Sequence, residues 1–159
     1  MKKILFVLSL AFGLNAVAQT SVDEINLIQN LYGKSKADVV EEYLNLSDAQ
    51  AAAFKPIYDK YETERKTLSK QKILILEDYG KNYATLSDAK ATELTSKNLK
   101  YNQESEKLLA KTHSKLVKVI GGINAAKFVQ LEQYLQVTIR AEIQDVIPFI
   151  GELDKAKKH

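Results

Sequence analysis

The chain has 159 residues, 45% of them hydrophobic, with 23 basic residues against 20 acidic ones and no cysteine. The missing cysteine excludes a disulfide-stapled fold, a thiolate nucleophile, a thiolate metal site and the lipid-modified cysteine of a bacterial lipoprotein. The length suits one domain with a real core.

Met1-Lys2-Lys3 precedes an apolar run over residues 4–14 and the small-residue stretch Asn15-Ala16-Val17-Ala18. This order of charged, apolar and small residues predicts a secretory signal over 1–18, cleaved after Ala18. The run is too short to span a bilayer, and no later stretch reaches the roughly 20 apolar residues a transmembrane helix needs. Residues 19–153 are expected to form a single all-helical domain, and 154–159 a frayed, charged tail. Losing Lys2 and Lys3 leaves 21 basic residues against 20 acidic ones, a balance with no general pull toward nucleic acid.

Beyond the signal, glycine and proline are confined to Gly33, Gly80, Gly121, Gly122, Gly151, Pro56 and Pro148. The intervals are rich in Ala, Leu, Lys, Glu and Gln and lack sustained period-two alternation, so helix is predicted and sheet is not. A first helix over 22–43, bent or divided at Gly33, carries Ile25, Ile28, Leu31 and Tyr32 and then Val39, Val40 and Tyr43. Leu46-Ser47-Asp48-Ala49-Gln50 follows. Ser47 and Gln50 have capping-box spacing, and Asp48 suits the first turn of a helix dipole. The second helix is predicted over 48–83, roughly 50 Å long at 1.5 Å per residue, with Phe54, Ile57, Tyr58, Tyr61, Leu68, Ile75, Leu76 and Tyr79 at three- and four-residue steps. Pro56 either bends this helix or marks its restart.

Leu86-Ser87-Asp88-Ala89-Lys90 repeats the start signal, and a third helix carries Leu94, Tyr101 and Leu108 seven apart, then Leu109, Leu116, Val119 and Ile120. Gly121-Gly122 should end it, with Asn124 capping a fourth helix and Ile123 stapled against Phe128. That helix carries Phe128, Leu131, Leu135, Ile139, Ile143, Val146 and Ile147 before Pro148. Short connections between long helices imply antiparallel neighbours. The expected fold is all-α: a long antiparallel hairpin of helices two and three, flanked by helices one and four, about four helices in all, curved if Pro56 bends it. Helices this long leave apolar surface for another protein or for a second subunit in a homodimer.

The segments from Leu46 and Leu86 also match at an offset of 40 residues: Ala51 with Ala91, Lys60 with Lys100, Tyr61 with Tyr101, Glu64 with Glu104 and Leu68 with Leu108. Either a distant duplication or independent use of good capping residues and similar heptads produces this. Leu-Ser-x-x-Gln at 46–50, its partial echo at 86–90 and the exported helical context resemble the Spy/CpxP-like periplasmic proteins, which carry paired Leu-Thr-x-x-Gln motifs. The resemblance covers roughly residues 44–147. It departs at Ser47 and Ser87, where the family has threonine, and at Lys90, where it has glutamine. Asn45 to Gln50 followed by Phe54-Lys55-Pro56-Ile57-Tyr58 looks like a less studied branch of that family. The resemblance implies a four-helix, cradle-shaped antiparallel dimer that holds unfolding proteins without ATP or restrains an envelope-stress sensor. It carries over as a motif at Leu46, Ser47, Asp48, Gln50, Leu86, Ser87, Asp88 and Lys90.

Tyr58, Tyr61, Tyr79, Tyr83 and Tyr101 are interspersed with Lys60, Arg65, Lys66, Lys81 and Lys100. The five tyrosines and Arg65 are the candidate client-binding residues: an adaptable apolar surface with a charged border suits many partners. The competing reading places the tyrosines in the seam between helices two and three. Catalysis finds little to work with. The only histidines are His113 and His159, no serine has an evident base, and carboxylate pairs such as Glu62 with Glu64 or Glu104 with Glu106 read as solvated helix surface. No enzyme activity, cofactor, metal site, nucleic-acid contact or stable membrane insertion is expected. The expectation is a periplasmic protein binding unfolded or envelope proteins, with secretion outside the cell left open. The alternatives are a dedicated adaptor or inhibitor of one envelope-stress or metal-response partner, and a structural envelope protein.

Overall fold

Ser35 opens the first helix. Its backbone N–H and its hydroxyl both donate to Asp38 Oδ2, at 3.2 and 2.8 Å, while its Oγ accepts from the Asp38 N–H at 3.2 Å. The computed structural model describes residues 33–150. The predicted signal, the upstream part of helix one and the charged tail lie outside them. In the described part, Gly33 adopts a positive φ of 64° and α1, Lys36–Leu44, begins behind Ser35 and carries the later portion of the predicted first helix. Asn45, in the left-handed region at φ 48°, closes α1 by donating its N–H to Glu41 O.

α2, Asp48–Asn82, begins where the Ser47 signal places it and runs through Pro56 without restarting. Ser47 N–H donates to Gln50 Oε1 at 3.3 Å, the return bond of the box. A 3-10 turn, Tyr83–Thr85, leads to α3, Asp88–Val146. There Ser87 Oγ accepts from the Lys90 N–H at 3.3 Å. Ile147, immediately before Pro148, is extended at φ −86° and ψ 127°, so helix stops one residue short of the prediction. The fold is all-α, with no strand among the described residues.

The predicted break between helices three and four is shorter than expected. Within α3 only Gly121 leaves helical geometry, at φ 81° and ψ 163°, and Gly122 is already helical. Glycine alone adopts that backbone at little cost, so one residue makes the break and no separate cap is needed. Asn124 is therefore not a cap; its Nδ2 donates back to Ile120 O at 3.1 Å. Ile123 is 80% exposed and does not staple Phe128, which is fully buried. The predicted helices three and four are the two limbs of α3, so three α-helices rather than four stand among the described residues.

Contacts give the direction of each limb. Gln50 meets Ile120, Lys72 meets Asn98 and Asp78 meets Lys90, so the first limb runs opposite to α2. Phe54 meets Phe128, Tyr61 meets Glu132 and Tyr79 meets Pro148, so the second limb runs with α2 and the chain reverses at Gly121. Most of the core lies near that reversal. Val40 and Leu44 of α1, Phe54 and Tyr61 of α2, Leu109, Leu116 and Ile120 of the first limb and Phe128, Leu131 and Leu135 of the second form one cluster. Phe128 is its hub, edge-on to Phe54, Tyr58 and Tyr61 at centroid separations of 5.9, 6.2 and 5.4 Å.

Adjacent glycines provide a test. A Cβ at Gly121 or Gly122 meets nothing within 4 Å, so backbone conformation alone separates them. Gly121→Ala should destabilise by about 1–3 kcal/mol. Gly122→Ala should stabilise by about 0.4–1 kcal/mol through the unfolded chain, both read from urea denaturation midpoints.

Candidate functional site

Phe128, Leu131, Glu132 and Leu135 follow the i, i+3, i+4, i+7 spacing of one helix face, which sends the Glu132 side chain into the core. Glu132 is 0% exposed. A carboxylate there requires a cation and hydrogen-bond donors. Lys36 of α1 supplies the charge, its Nζ lying 2.8 Å from Oε1 and 2.9 Å from Oε2, and the Tyr61 hydroxyl donates to Oε2 at 2.8 Å. Lys36 also reaches Glu62 Oε1 at 2.7 Å, and Arg65 grips Glu62 with Nε on Oε1 at 2.9 Å and Nη2 on Oε2 at 3.0 Å. Two cations and two carboxylates thus join α1, α2 and the second limb in a balanced buried cluster.

Burial acts to raise the Glu62 carboxyl, but the Arg65 hydrogen bonds and the Lys36 charge outweigh it and hold it at about 2. Burial, and next the charge of Glu132, push the Tyr61 phenol far above its ordinary value, so it remains a hydrogen-bond donor. Tyr58 is raised likewise, by burial first and then by Glu62. The cluster is enclosed and ties helices together; it offers a substrate no access to Glu132. Sequence reasoning missed it and took Glu62 for solvated surface. The legible signal was Glu132 on an apolar stripe, a position that demands a partner from elsewhere in the chain.

The candidate client-binding residues separate in space. Tyr61 is 2% exposed and belongs to the core, so this fold presents it on no surface. Tyr58 stacks on Phe54 at 5.3 Å, half-buried, and Arg65 is engaged with Glu62. At the opposite end of α2, Tyr79 and Tyr83 donate to Pro148 O and Phe149 O at 2.8 and 3.0 Å. Tyr101 is half-buried beneath the Lys72 ammonium, 5.7 Å from its ring centroid. Burial and next the Arg140 charge pull the Lys72 ammonium down from its ordinary value.

The motif residues work at helix starts. Leu46 packs on the main core, and Ser47 and Ser87 cap with Asp48 and Asp88 in the first turns. Leu86 is the half-buried last residue before Ser87. Gln50 and Lys90 reach farther: Gln50 Nε2 donates to Ile120 O at 3.3 Å, and Lys90 Nζ to Asp78 Oδ2 at 2.7 Å. Each start is thereby tied to the neighbouring long helix.

Two open grooves stand out among the described residues. One, of about 600 Å³, lies between α1 and the second limb, with Val39 and Leu131 at its floor and Lys34, Tyr43, Gln130 and Tyr134 around it. The other, of about 420 Å³, lies between α2 and the first limb, where Leu74, Ile75 and Tyr101 are bordered by Asp78, Lys97, Lys100 and Glu104. No cluster of three metal-ligating side chains occurs among the described residues, and none of their helices is long and apolar enough to cross a membrane. No protein-family model, curated protein or solved structure matches the chain. The Spy/CpxP resemblance therefore rests on the motif residues themselves.

Lys36→Ala should cost about 3–5 kcal/mol by stranding Glu132, whereas Lys34→Ala, which breaks the exposed pair with Glu42, should cost at most about 1 kcal/mol in chemical denaturation. Because folding lowers the Glu62 carboxyl from its ordinary 4.5 to about 2, its stabilisation is complete above pH 4.5 and disappears as pH falls through 2. Comparison with Glu62→Gln across that window should show up to roughly 3 kcal/mol of acid-dependent stability lost in the variant.

Proposed function

We propose that the protein is exported to the periplasm and acts as an ATP-independent, chaperone-like binder of unfolding proteins, working without catalysis. The observation that carries this reading is the groove between α2 and the first limb. Leu74 at 63% exposure and the neighbouring Ile75 and Tyr101 offer apolar contact, while Lys97, Lys100, Asp78 and Glu104 supply charges of both signs at the edge. An apolar strip with a mixed charged border accommodates varied sequences without fixing one. The motif resemblance, the helix-only architecture and the signal-like N-terminus support the same reading. In it, α2 and the first limb form the hairpin of a curved, cradle-like molecule that pairs as a homodimer. The client surface shifts from the full tyrosine set to Leu74, Ile75 and Tyr101, because Tyr61 and Arg65 are engaged inside the fold.

The chain lacking residues 1–18 should suppress aggregation of two unrelated unfolding clients without nucleotide at near-stoichiometric amounts, with a dimer mass in light scattering. Leu74→Glu should reduce suppression several-fold with far-UV circular dichroism unchanged, since the side chain is largely in water. No suppression at several-fold excess would overturn the reading and direct attention to one dedicated envelope partner.

A further inference from the structure

The lysines of the first limb fall into two groups. Toward its start each has an acidic partner: Lys90 pairs with Asp78 and Glu93, Lys97 with Glu93 and Lys100 with Glu104. Past Glu106 the acids stop. Residues 107–131 hold five lysines and no aspartate or glutamate, in a chain whose charges nearly cancel overall. Lys127 is engaged with Leu44 O. The other four, Lys107, Lys111, Lys115 and Lys118, are exposed and make no ion pair among the described residues. Steps of four, four and three keep them on one helix face, turned away from the buried Leu109, Leu116 and Ile120, in a row of roughly 16 Å at 1.5 Å per residue.

A solvated helix face ordinarily mixes both signs, and like charges four apart repel. The helix dipole accounts for Lys118, in the last turn before the Gly121 break, but not for Lys107 and Lys111, more than two turns back. The row therefore opposes the fold locally, and its chemistry points outward to a polyanion. Val117 and Val119 flank Lys118 at 39% and 36% exposure, and Ile123, in the first turn after the break, is 80% exposed. Ammonium groups beside water-facing aliphatic side chains suit an anionic bilayer at two levels: lipid phosphates take the charge and the headgroup–acyl boundary takes the hydrocarbon. Nucleic acid fits less well, because residues 103–118 hold no tyrosine, phenylalanine or tryptophan to stack on a base and no arginine to read one. We propose that the Gly121 end of the first limb docks on an anionic membrane surface, with Lys107, Lys111, Lys115 and Lys118 on lipid phosphates and Ile123 entering the headgroup boundary. The contact is peripheral and reversible, and it does not depend on client binding through the groove between α2 and the first limb.

The test is co-sedimentation of the chain lacking residues 1–18 with vesicles of phosphatidylcholine alone and of phosphatidylcholine and phosphatidylglycerol in equal parts. Binding is expected to the mixed vesicles only, weakening as salt is added. Each lysine near such a surface is worth roughly fivefold in partitioning, so Lys111→Glu with Lys115→Glu should weaken binding by at least about twentyfold. Both side chains are exposed, and an unchanged far-UV circular dichroism spectrum checks that the variant folds. Lys55→Glu with Lys60→Glu on α2 makes the same change in net charge at exposed positions outside the row and should bind nearly as the parent does. Ile123→Ser should weaken vesicle binding several-fold. No binding to the mixed vesicles at low ionic strength would overturn the proposal, as would equal weakening by the two lysine pairs. A duplex oligonucleotide bound more tightly than the mixed vesicles, with Ile123→Ser leaving both affinities unchanged, would overturn it by assigning the row to nucleic acid.

Discussion

A carboxylate without access to water is the constraint around which the helices are arranged. Glu132 sits on the apolar face of the second limb, and its desolvation has to be offset by groups that its own helix does not supply. Lys36 provides the charge from α1 and Tyr61 provides a hydrogen from α2, so the position of the nine-residue α1 is set by electrostatics as well as by Val39, Val40 and Leu44. A helix that short has little intrinsic stability. The ion cluster gives it one seating: sliding α1 by a turn would bury Glu132 without a cation. Such clusters contribute modestly to net stability compared with well-packed hydrocarbon, and their effect here is on which arrangement is allowed.

Because the clamp and the Phe128 aromatic hub lie toward the Gly121 reversal, the molecule is unevenly stabilised. At that end four segments share one apolar cluster. At the far end of α2, Leu76 and Leu94 are the buried apolar residues, and polar bridges carry much of the rest: Lys72 to Asn98, Lys90 to Asp78, Tyr79 and Tyr83 to the carbonyls of Pro148 and Phe149. Regions with few buried apolar contacts and many exposed polar ones open more readily than a core. The groove holding Leu74 and Tyr101 is in this looser half, where side chains can adapt to what they meet without disturbing the clamp.

What was legible in the sequence was local. Ser47 and Ser87 announced their helices because a cap depends on residues three positions away. The all-helical class followed from composition and spacing, and the long α2 from its unbroken periodicity through Pro56. The Gly121 break was visible, but not that one glycine would suffice without Asn124 or Ile123. Ser35 and Asp38 form an equally local box that was passed over in favour of the division at Gly33. The site was less legible for a different reason. Whether Tyr61 faces water or the core depends on Glu132, 71 positions later, and heptad spacing alone cannot separate a seam tyrosine from a surface one. Glu62 read as solvated for the same reason, since Lys36 and Glu132 come from other helices.

The departure at Lys90 from the glutamine of the first motif has a physical account. A glutamine there, as at position 50, can accept from the N-cap backbone N–H through its carbonyl and donate onward through its amide. Gln50 does both, toward Ser47 and toward Ile120 O. Lysine has no acceptor, so the return half of the box is lost at Ser87, and only the Ser87 oxygen accepting from the Lys90 N–H remains. In exchange its longer stem and positive charge reach Asp78 on α2 and Glu93 one turn ahead. The two motifs therefore solve one problem at opposite ends of α2: fastening a helix start to the long helix beside it. Near the Gly121 reversal, where the main core does the fastening, a neutral amide suffices. At the sparsely packed end an ion pair takes the place of missing apolar contact, and a charged group suits that place because water still reaches it.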